Sequence, residues 1–355
     1  MHAKHKELLD MLLDIITAKY ADDISIMIIY GSCANGTCYE KSDLDMLYVP
    51  KTDKGRELAR TFILDGVGYD VWGTDWNCLE RFSNFEDMRV SVLADSQLVL
   101  CASEDDRQKY ETLKNKALSI AGGPLTKELL KKARARLNTA TQYYGELVLK
   151  PDLTAVGGIL MELCNTVCLL NHTYLRFGTK RIVDELSALE KLPLGFMPIF
   201  KSVAEHPNTA KENCAKLLII TEQLLCNLET ELSPPAYDII GLYEEISSHW
   251  NKIRTSCSQG DALSAFMAAT SLQHILNLVQ KEDFGATIEE LHFFDAFDSK
   301  NLLEFSHKAD KAEAAFIELL RSKNIPIVSY ANMEQLKQAL SLELANKGIE
   351  HRGRK

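Results

Sequence analysis

The chain has 355 residues, 46% of them hydrophobic and 25% charged, enough for two or three domains with apolar cores of their own. A formal net charge of −10 argues against a partner held mainly through phosphates, such as nucleic acid, and suits a neutral or cationic small substrate. Nine cysteines, an odd number without framework spacing, exclude a disulfide scaffold and fit reduced thiols in the cytoplasm.

The first segment, MHAKHKELLDMLLDIITAKY, has helical periodicity over about residues 3–20, with charges throughout. It lacks the unbroken apolar stretch and small-residue cleavage site of a signal peptide, and no window is expected to reach the length of a membrane span. SIMIIYGS reads as a strand and DMLYVP as the next, stopping at Pro50. DKGRELARTFIL has a short helical pattern. YDVWGTDW reads as a third strand and QLVLCAS as a fourth, followed by a helix from EDDRQKYETLKNKAL.

AGGPLT at 121–126 combines Gly-Gly-Pro with a helix-starting threonine and marks a domain boundary. Long helical segments follow, interrupted at Pro151-Asp152, at His206-Pro207 and at SPPAYD, residues 233–238. The last five residues, HRGRK, read as a disordered tail. The expected organisation is 1–122, 123–234 and 235–355. The expected fold is α+β at the N-terminus, a small mixed sheet with helices, followed by an all-helical region.

The chemistry concentrates in IIYGSCANGTCYEKSDLDMLYVP, residues 28–50. Asp43 and Asp45 are two apart on an extended segment, so their side chains share a face. Adjacent carboxylates repel, and hard oxygen ligands around Mg²⁺ are the usual resolution. Asp70, among the apolar and aromatic residues of GYDVWG, offers a third carboxylate on a neighbouring strand. Asp65 and Asp75 compete for that role. Asp65 precedes Gly66 in a turn, and Asp75 has the opposite parity to Asp70. Gly31 lets backbone approach a phosphate closely, and the Ser32 hydroxyl with the following amides can hold its oxygens. Cys164, Cys168 and His172 fall on one helix face. Their outer members are about 12 Å apart, too far for one zinc ion.

Gly-Ser, ten intervening residues, Asp-Leu-Asp before an apolar strand, and a further Asp on a later strand resemble the polymerase-β-type nucleotidyltransferase superfamily. The resemblance covers about residues 24–103. It implies a nucleotidyltransferase domain in which Gly31 and Ser32 bind nucleotide phosphates. Asp43 and Asp45 would ligate two Mg²⁺ ions and Asp70 the catalytic one. It also implies transfer of a nucleoside monophosphate from a triphosphate, ATP first, to an acceptor hydroxyl, with pyrophosphate leaving. Bacterial members often carry Arg-Gly where this chain has Asn35-Gly36, so the phosphate charge is expected to be met by metal plus Lys41, and Lys41 and Ser42 are counted with the nucleotide-binding residues.

A helical region behind such a core is similar to the antibiotic (aminoglycoside and lincosamide) nucleotidyltransferases. That likeness implies a small hydroxyl-bearing acceptor, with Glu146, Glu162, Asp184 and Glu185 as acceptor-side candidates. Arg176, Lys180 and Arg181 read first as cations complementing a helix dipole and second as a clamp over the triphosphate. Tyr143, Tyr144 and Trp250 are candidates for stacking on a base. Two other readings stay open: a protein or RNA acceptor, as in antitoxin-type relatives, and a non-catalytic nucleotide-binding module. A homodimer is compatible with the sequence, and a membrane is not an expected partner.

Overall fold

A computed structural model describes residues 2–39, 41–150, 152–232, 239–280 and 288–350. Pro151, the SPPAYD break and the HRGRK tail lie outside the described residues. The chain divides into two compact units, Met1–Ser233 and Pro234–Lys355. The Gly-Gly-Pro stretch at 121–126 separates two helices inside the first unit.

The first unit opens with α1 (Ala3–Lys19), β1 (Ile24–Tyr30), a single helical turn α2 (Gly31–Ala34) and β2 (Asp45–Pro50). A second turn α3 (Asp53–Arg56), the strands β3 (Arg60–Leu64) and β4 (Val67–Gly73), and the helices α4 (Trp76–Ser83) and α5 (Ser91–Ala94) come next. β5 (Gln97–Cys101) and α6 (Glu104–Ala121) complete the α/β part. The five strands form one sheet in the order β3-β4-β2-β1-β5, with β2 and β4 parallel and the other neighbours antiparallel.

Both faces of this sheet are covered, which is why β1 is a continuous apolar run. On one face Leu8, Leu12 and Ile16 of α1 pack with Met27, Ile29, Met46, Tyr48 and Val71. On the other, Ile26, Ile28, Leu47 and Val49 meet Leu79 and Phe82 of α4, Leu93 of α5 and Leu113 of α6.

The expected helix over DKGRELARTFIL is a single turn followed by a strand, so the sheet has a fifth member. Arg60–Leu64 pairs antiparallel with β4 across Asp65-Gly66, both at positive φ (51° and 75°). Asp-Gly with two left-handed residues is the two-residue hairpin connection whose twist matches the flanking strands. That dipeptide carried the missing signal. β3 sits at the sheet edge with four of its five residues exposed, and a weak apolar pattern is what such an edge shows.

Helices α7 (Lys127–Leu149), α8 (Leu153–Leu170), α9 (Ile182–Ser187), α10 (Phe196–Glu205) and α11 (Ala210–Leu232) finish the first unit. Leu130, Ala133, Leu137 and Ala140 of α7 pack with Ile159, Leu163 and Val167 of α8 and Leu217 and Leu225 of α11. Arg134 of α7 forks onto Glu222 and Glu229 of α11. The same core takes in Phe85, Val90 and Ala94 of the α/β part, so the two parts are continuous. α8 and α13 (Ala262–Val279) are long and apolar enough to cross a membrane by length and composition, against the sequence expectation. In α8 56% of that stretch is buried inside the protein, as in a core helix. The second unit has α12 (Leu242–Ser258), α13, α14 (Leu302–Ser322) and α15 (Met333–Glu350), with Trp250, Leu272, Phe305 and Phe316 in its core.

Candidate functional site

β1 ends at Tyr30, which faces Asp45 across the antiparallel ladder with β2. The chain then reverses through Gly31, at φ +66°, into the α2 turn. A Cβ at position 31 would lie 2.1 Å from the Asp45 Oδ2 atom. Glycine is therefore required twice here, for its left-handed backbone and for the carboxylate beside it. The turn is held by the Thr37 amide donating to the Ser32 carbonyl at 2.9 Å and by Thr37 Oγ1 donating to Asn35 Oδ1 at 2.7 Å.

β2 begins at Asp45, and Asp43 lies in the extended lead-in rather than on the strand itself. The period of two still holds: Ser42 and Leu44 are buried while Asp43 and Asp45 are half-buried. Asp45 shares its face with Leu47 and Val49. In the parallel register Met46 faces Val71, so one step back Asp45 stands beside Asp70, which is exposed. Tyr30 lies on the same face, its hydroxyl accepting the Trp72 indole N–H at 2.8 Å.

The electrostatics show the crowding. Burial, then the neighbouring Asp43 and Asp70 charges, push the Asp45 carboxyl up to about 6, with Lys180 opposing. Burial also pushes the Tyr30 phenol up to about 12, reinforced by Asp45, Asp70 and Asp43 and opposed by the Trp72 bond. Asp65 and Asp75 stand elsewhere. Asp65 occupies the hairpin turn and pairs with Lys4 at 3.0 Å. Asp75 caps α4 by accepting the Cys78 amide at 2.8 Å.

A cavity of about 280 Å³ opens on this patch. Tyr30, Gly31, Ser32 and Asp45 line it from the sheet, and Arg176, Lys180 and Arg181 line it from the segment between α8 and α9. That segment is fixed from both ends. Tyr174, 2% exposed, donates its hydroxyl to Asp95 at 3.0 Å and meets the Phe85 ring edge-on. Glu185 accepts the Arg176 and Phe177 amides at 2.6 and 3.0 Å, and Arg176 pairs with Asp95 at 3.2 Å. Among the described residues, Lys180 and Arg181 have no carboxylate ion pair. Lys180 lies 6.0 Å from the centre of the Tyr39 ring, and Arg181 packs over Phe177. Lys180 and Arg181 form the last turn of a short 3-10 helix, Gly178–Arg181, so the dipole reading has a single turn to act on. They also precede the N-terminus of α9, the end that repels positive charge. Two cations opposite a backbone turn and the Asp45 carboxylate make a place for an anion that brings its own cation.

The chain is similar to a nucleotidyltransferase-like protein. That structure, a crystal structure from Exiguobacterium sibiricum, superposes with a TM-score of 0.38 at 11% identity, over 65% of this chain and 79% of that one. Comparison with protein-family models gives no match, and comparison with curated proteins gives none. The likeness is distant, and the site stands on the residues of this chain.

The remaining sequence candidates fall away from the cavity. Lys41 is exposed on the loop, and Ser42 is buried with its hydroxyl accepting the Tyr39 amide at 3.0 Å. Neither lines the cavity, where the cations are Arg176, Lys180 and Arg181. Glu146 and Asp184 are exposed, and Glu162 is half-buried 3.6 Å from Arg136. Glu185 holds backbone rather than presenting its charge to an acceptor. Trp250 is 1% exposed in the core of the second unit and has no face free for a base. Tyr143 and Tyr144 pack on the helical core. Cys164 and Cys168 are buried within α8, and His172 follows it at φ 43°. Sequence reasoning missed Tyr30, whose position directly before Gly31 was the available signal. It also missed Asp95, which nothing local distinguishes.

Proposed function

We propose that this protein is a metal-dependent nucleotidyltransferase, moving a nucleoside monophosphate from a nucleoside triphosphate, ATP first, to a hydroxyl of a small molecule. The observation that carries the reading is a cavity lined by Gly31, Ser32 and Asp45 on one side and by Arg176, Lys180 and Arg181 on the other, with the charges of Asp43 and Asp70 close enough to act on Asp45.

The residues suit Mg²⁺. Their donors are hard carboxylate oxygens, and the Asp45 carboxyl is pushed up first by burial and then by the charges of Asp43 and Asp70, a cost that a divalent cation would relieve. Asp43, Asp45 and Asp70 would hold the metal, which when bound supplies charge stabilisation for phosphoryl displacement. The Ser32 hydroxyl and the α2 amides would hold phosphate oxygens, and Lys180, Arg181 and Arg176 would neutralise the triphosphate tail. The acceptor oxygen attacks the α-phosphorus, the bond from that phosphorus to the bridging oxygen of the pyrophosphate breaks, and the hydroxyl proton passes to solvent. A cavity of about 280 Å³ lies at the small end for ligand pockets (~300–1,000 Å³). It fits the phosphates with part of a nucleoside, leaving the acceptor to approach from the open side.

An aminoglycoside- or lincosamide-type acceptor is the first class to try, since a chain of net charge −10 favours cationic and hydroxyl-rich molecules. The test is a matrix of such alcohols against each nucleoside triphosphate, read as pyrophosphate release with and without Mg²⁺. Mg²⁺-dependent release with one acceptor class, lost in Asp43→Asn, supports the reading. Label from ATP on a protein or RNA band in lysate would redirect the acceptor, and ATP binding without turnover on any acceptor would leave a binding module.

A further inference from the structure

A second group of ligand-type side chains lies next to the Gly31-Ser32 turn and plays no part in the phosphate reading. His5, Cys33 and Cys38 place their donor atoms all within 4.8 Å of one another, with His5 and Cys33 buried and Cys38 half-buried. We propose that these three residues bind a zinc ion. The proposal is independent of the nucleotidyltransferase reading.

Three observations converge. The first is spacing. Donors on a tetrahedral zinc, with bonds of about 2.0–2.3 Å, stand roughly 3.3–3.8 Å apart, and Cys33 Sγ and His5 Nδ1 are 3.3 Å apart. Cys33 and Cys38, four residues between them, match the short cysteine pairs of zinc sites. The second is the state of the imidazole. His5 Nε2 lies 2.8 Å from the Ser42 carbonyl, which can only accept, so that nitrogen carries the proton. Nδ1 is left with its lone pair facing Cys33. A backbone carbonyl fixing the far nitrogen is the usual support of a metal-bound histidine. The third is chemistry. Two thiols and an imidazole form a soft set that selects zinc over the hard Mg²⁺ favoured by the aspartates. Binding displaces two thiol protons to solvent and leaves a neutral centre. Half-exposed Cys38 provides the way in, and a water completes the tetrahedron.

Such an ion would tie α1 to both ends of the loop that carries Ser32. His5 also grips the Ser42 carbonyl, one residue before Asp43, and Cys33 Sγ lies 3.4 Å from the Asp43 carbonyl. The two halves of the candidate site, the turn and the carboxylates, would then share one anchor.

The test is metal content of the chain purified with reductant and without chelator, followed by Co²⁺ titration of the chelated protein. One equivalent of zinc is expected, and Co²⁺ should give a thiolate charge-transfer band with tetrahedral visible absorption. The band should be lost in Cys33→Ser and Cys38→Ser and kept in Cys78→Ser and Asp43→Asn. If buried Cys33→Ser fails to fold, the more exposed Cys38→Ser carries the comparison, with circular dichroism as the check on its fold. Absence of the band in the reduced protein, or its survival in Cys38→Ser, overturns the proposal.

Discussion

The Asp45 carboxylate occupies the space that any side chain on Gly31 would need, with Oδ2 only 2.1 Å from the position of a Cβ. The ladder pairs Tyr30 with Asp45, so the residue after Tyr30 must turn away while passing directly over that acid. Gly31→Ala is expected to lose about 1–2 kcal/mol from its left-handed backbone alone, and more from the displaced carboxylate. Thermal unfolding should show the stability loss and calorimetry with ATP and Mg²⁺ a weaker site. An alanine variant with wild-type nucleotide binding would disconnect the turn from the site.

Asp45 gives a pH signature. Its folded pKa of about 6 lies above the ordinary 3.8, so the folded state binds the proton more tightly than the unfolded chain. Its contribution is therefore favourable at low pH, is lost as pH rises from about 4 to about 6, and remains a penalty above that. Asp45→Asn removes the charge at nearly constant shape. In metal-free protein at neutral pH it should stabilise by at most about 3 kcal/mol, with no gain near pH 4. Mg²⁺ should raise the stability of the wild type and have a smaller effect on the variant. Denaturant titrations at the two pH values check the sign, and destabilisation at neutral pH would contradict it.

Lys180 lines the cavity and acts on Asp45, and among the described residues it has no carboxylate ion pair. Lys180→Ala should weaken ATP binding about tenfold, roughly 1.4 kcal/mol, and flatten its dependence on salt. Calorimetry at two ionic strengths measures both, and unchanged affinity would remove the 176–181 segment from the phosphate site.

Glu185 does not line the cavity, yet it accepts two amides of the segment that does. Glu185→Ala leaves those amides without their charged acceptor, a loss of about 1.5–3 kcal/mol of local order. Hydrogen exchange at residues 176 and 177 should accelerate, and ATP affinity should fall less than in Lys180→Ala. Unaltered exchange would mean that the Asp95 contacts alone hold the segment.

Asp70 and Asp75 separate function from architecture. Asp75→Ala should cost about 1 kcal/mol through its lost helix cap and leave nucleotide binding intact. Asp70 is exposed on β4 beside Asp45. Asp70→Asn should leave the melting temperature nearly unchanged and reduce pyrophosphate release by about two orders of magnitude or more. The reverse pattern would transfer the third-carboxylate role away from Asp70.

Some of this was present in short windows of sequence. The alternation from Ser42 to Asp45, the glycine before Ser32, and the apolar runs of β1 and β2 all depend on neighbours a few residues away, and backbone periodicity settles which face each takes. Edge strand β3 was the exception, because an exposed edge has no apolar face to advertise it. The partners across the cavity had no such local mark. Arg176 and Lys180 reach the sheet because α8 packs on α7 and α11 and Tyr174 closes onto Asp95. Whether an acid is buried, unpaired or opposite a cation depends on that packing, since charges act through space. By itself the sequence determined the turn and the alternating acids; only the tertiary structure decided what they face, because helices far along the chain supply the other wall.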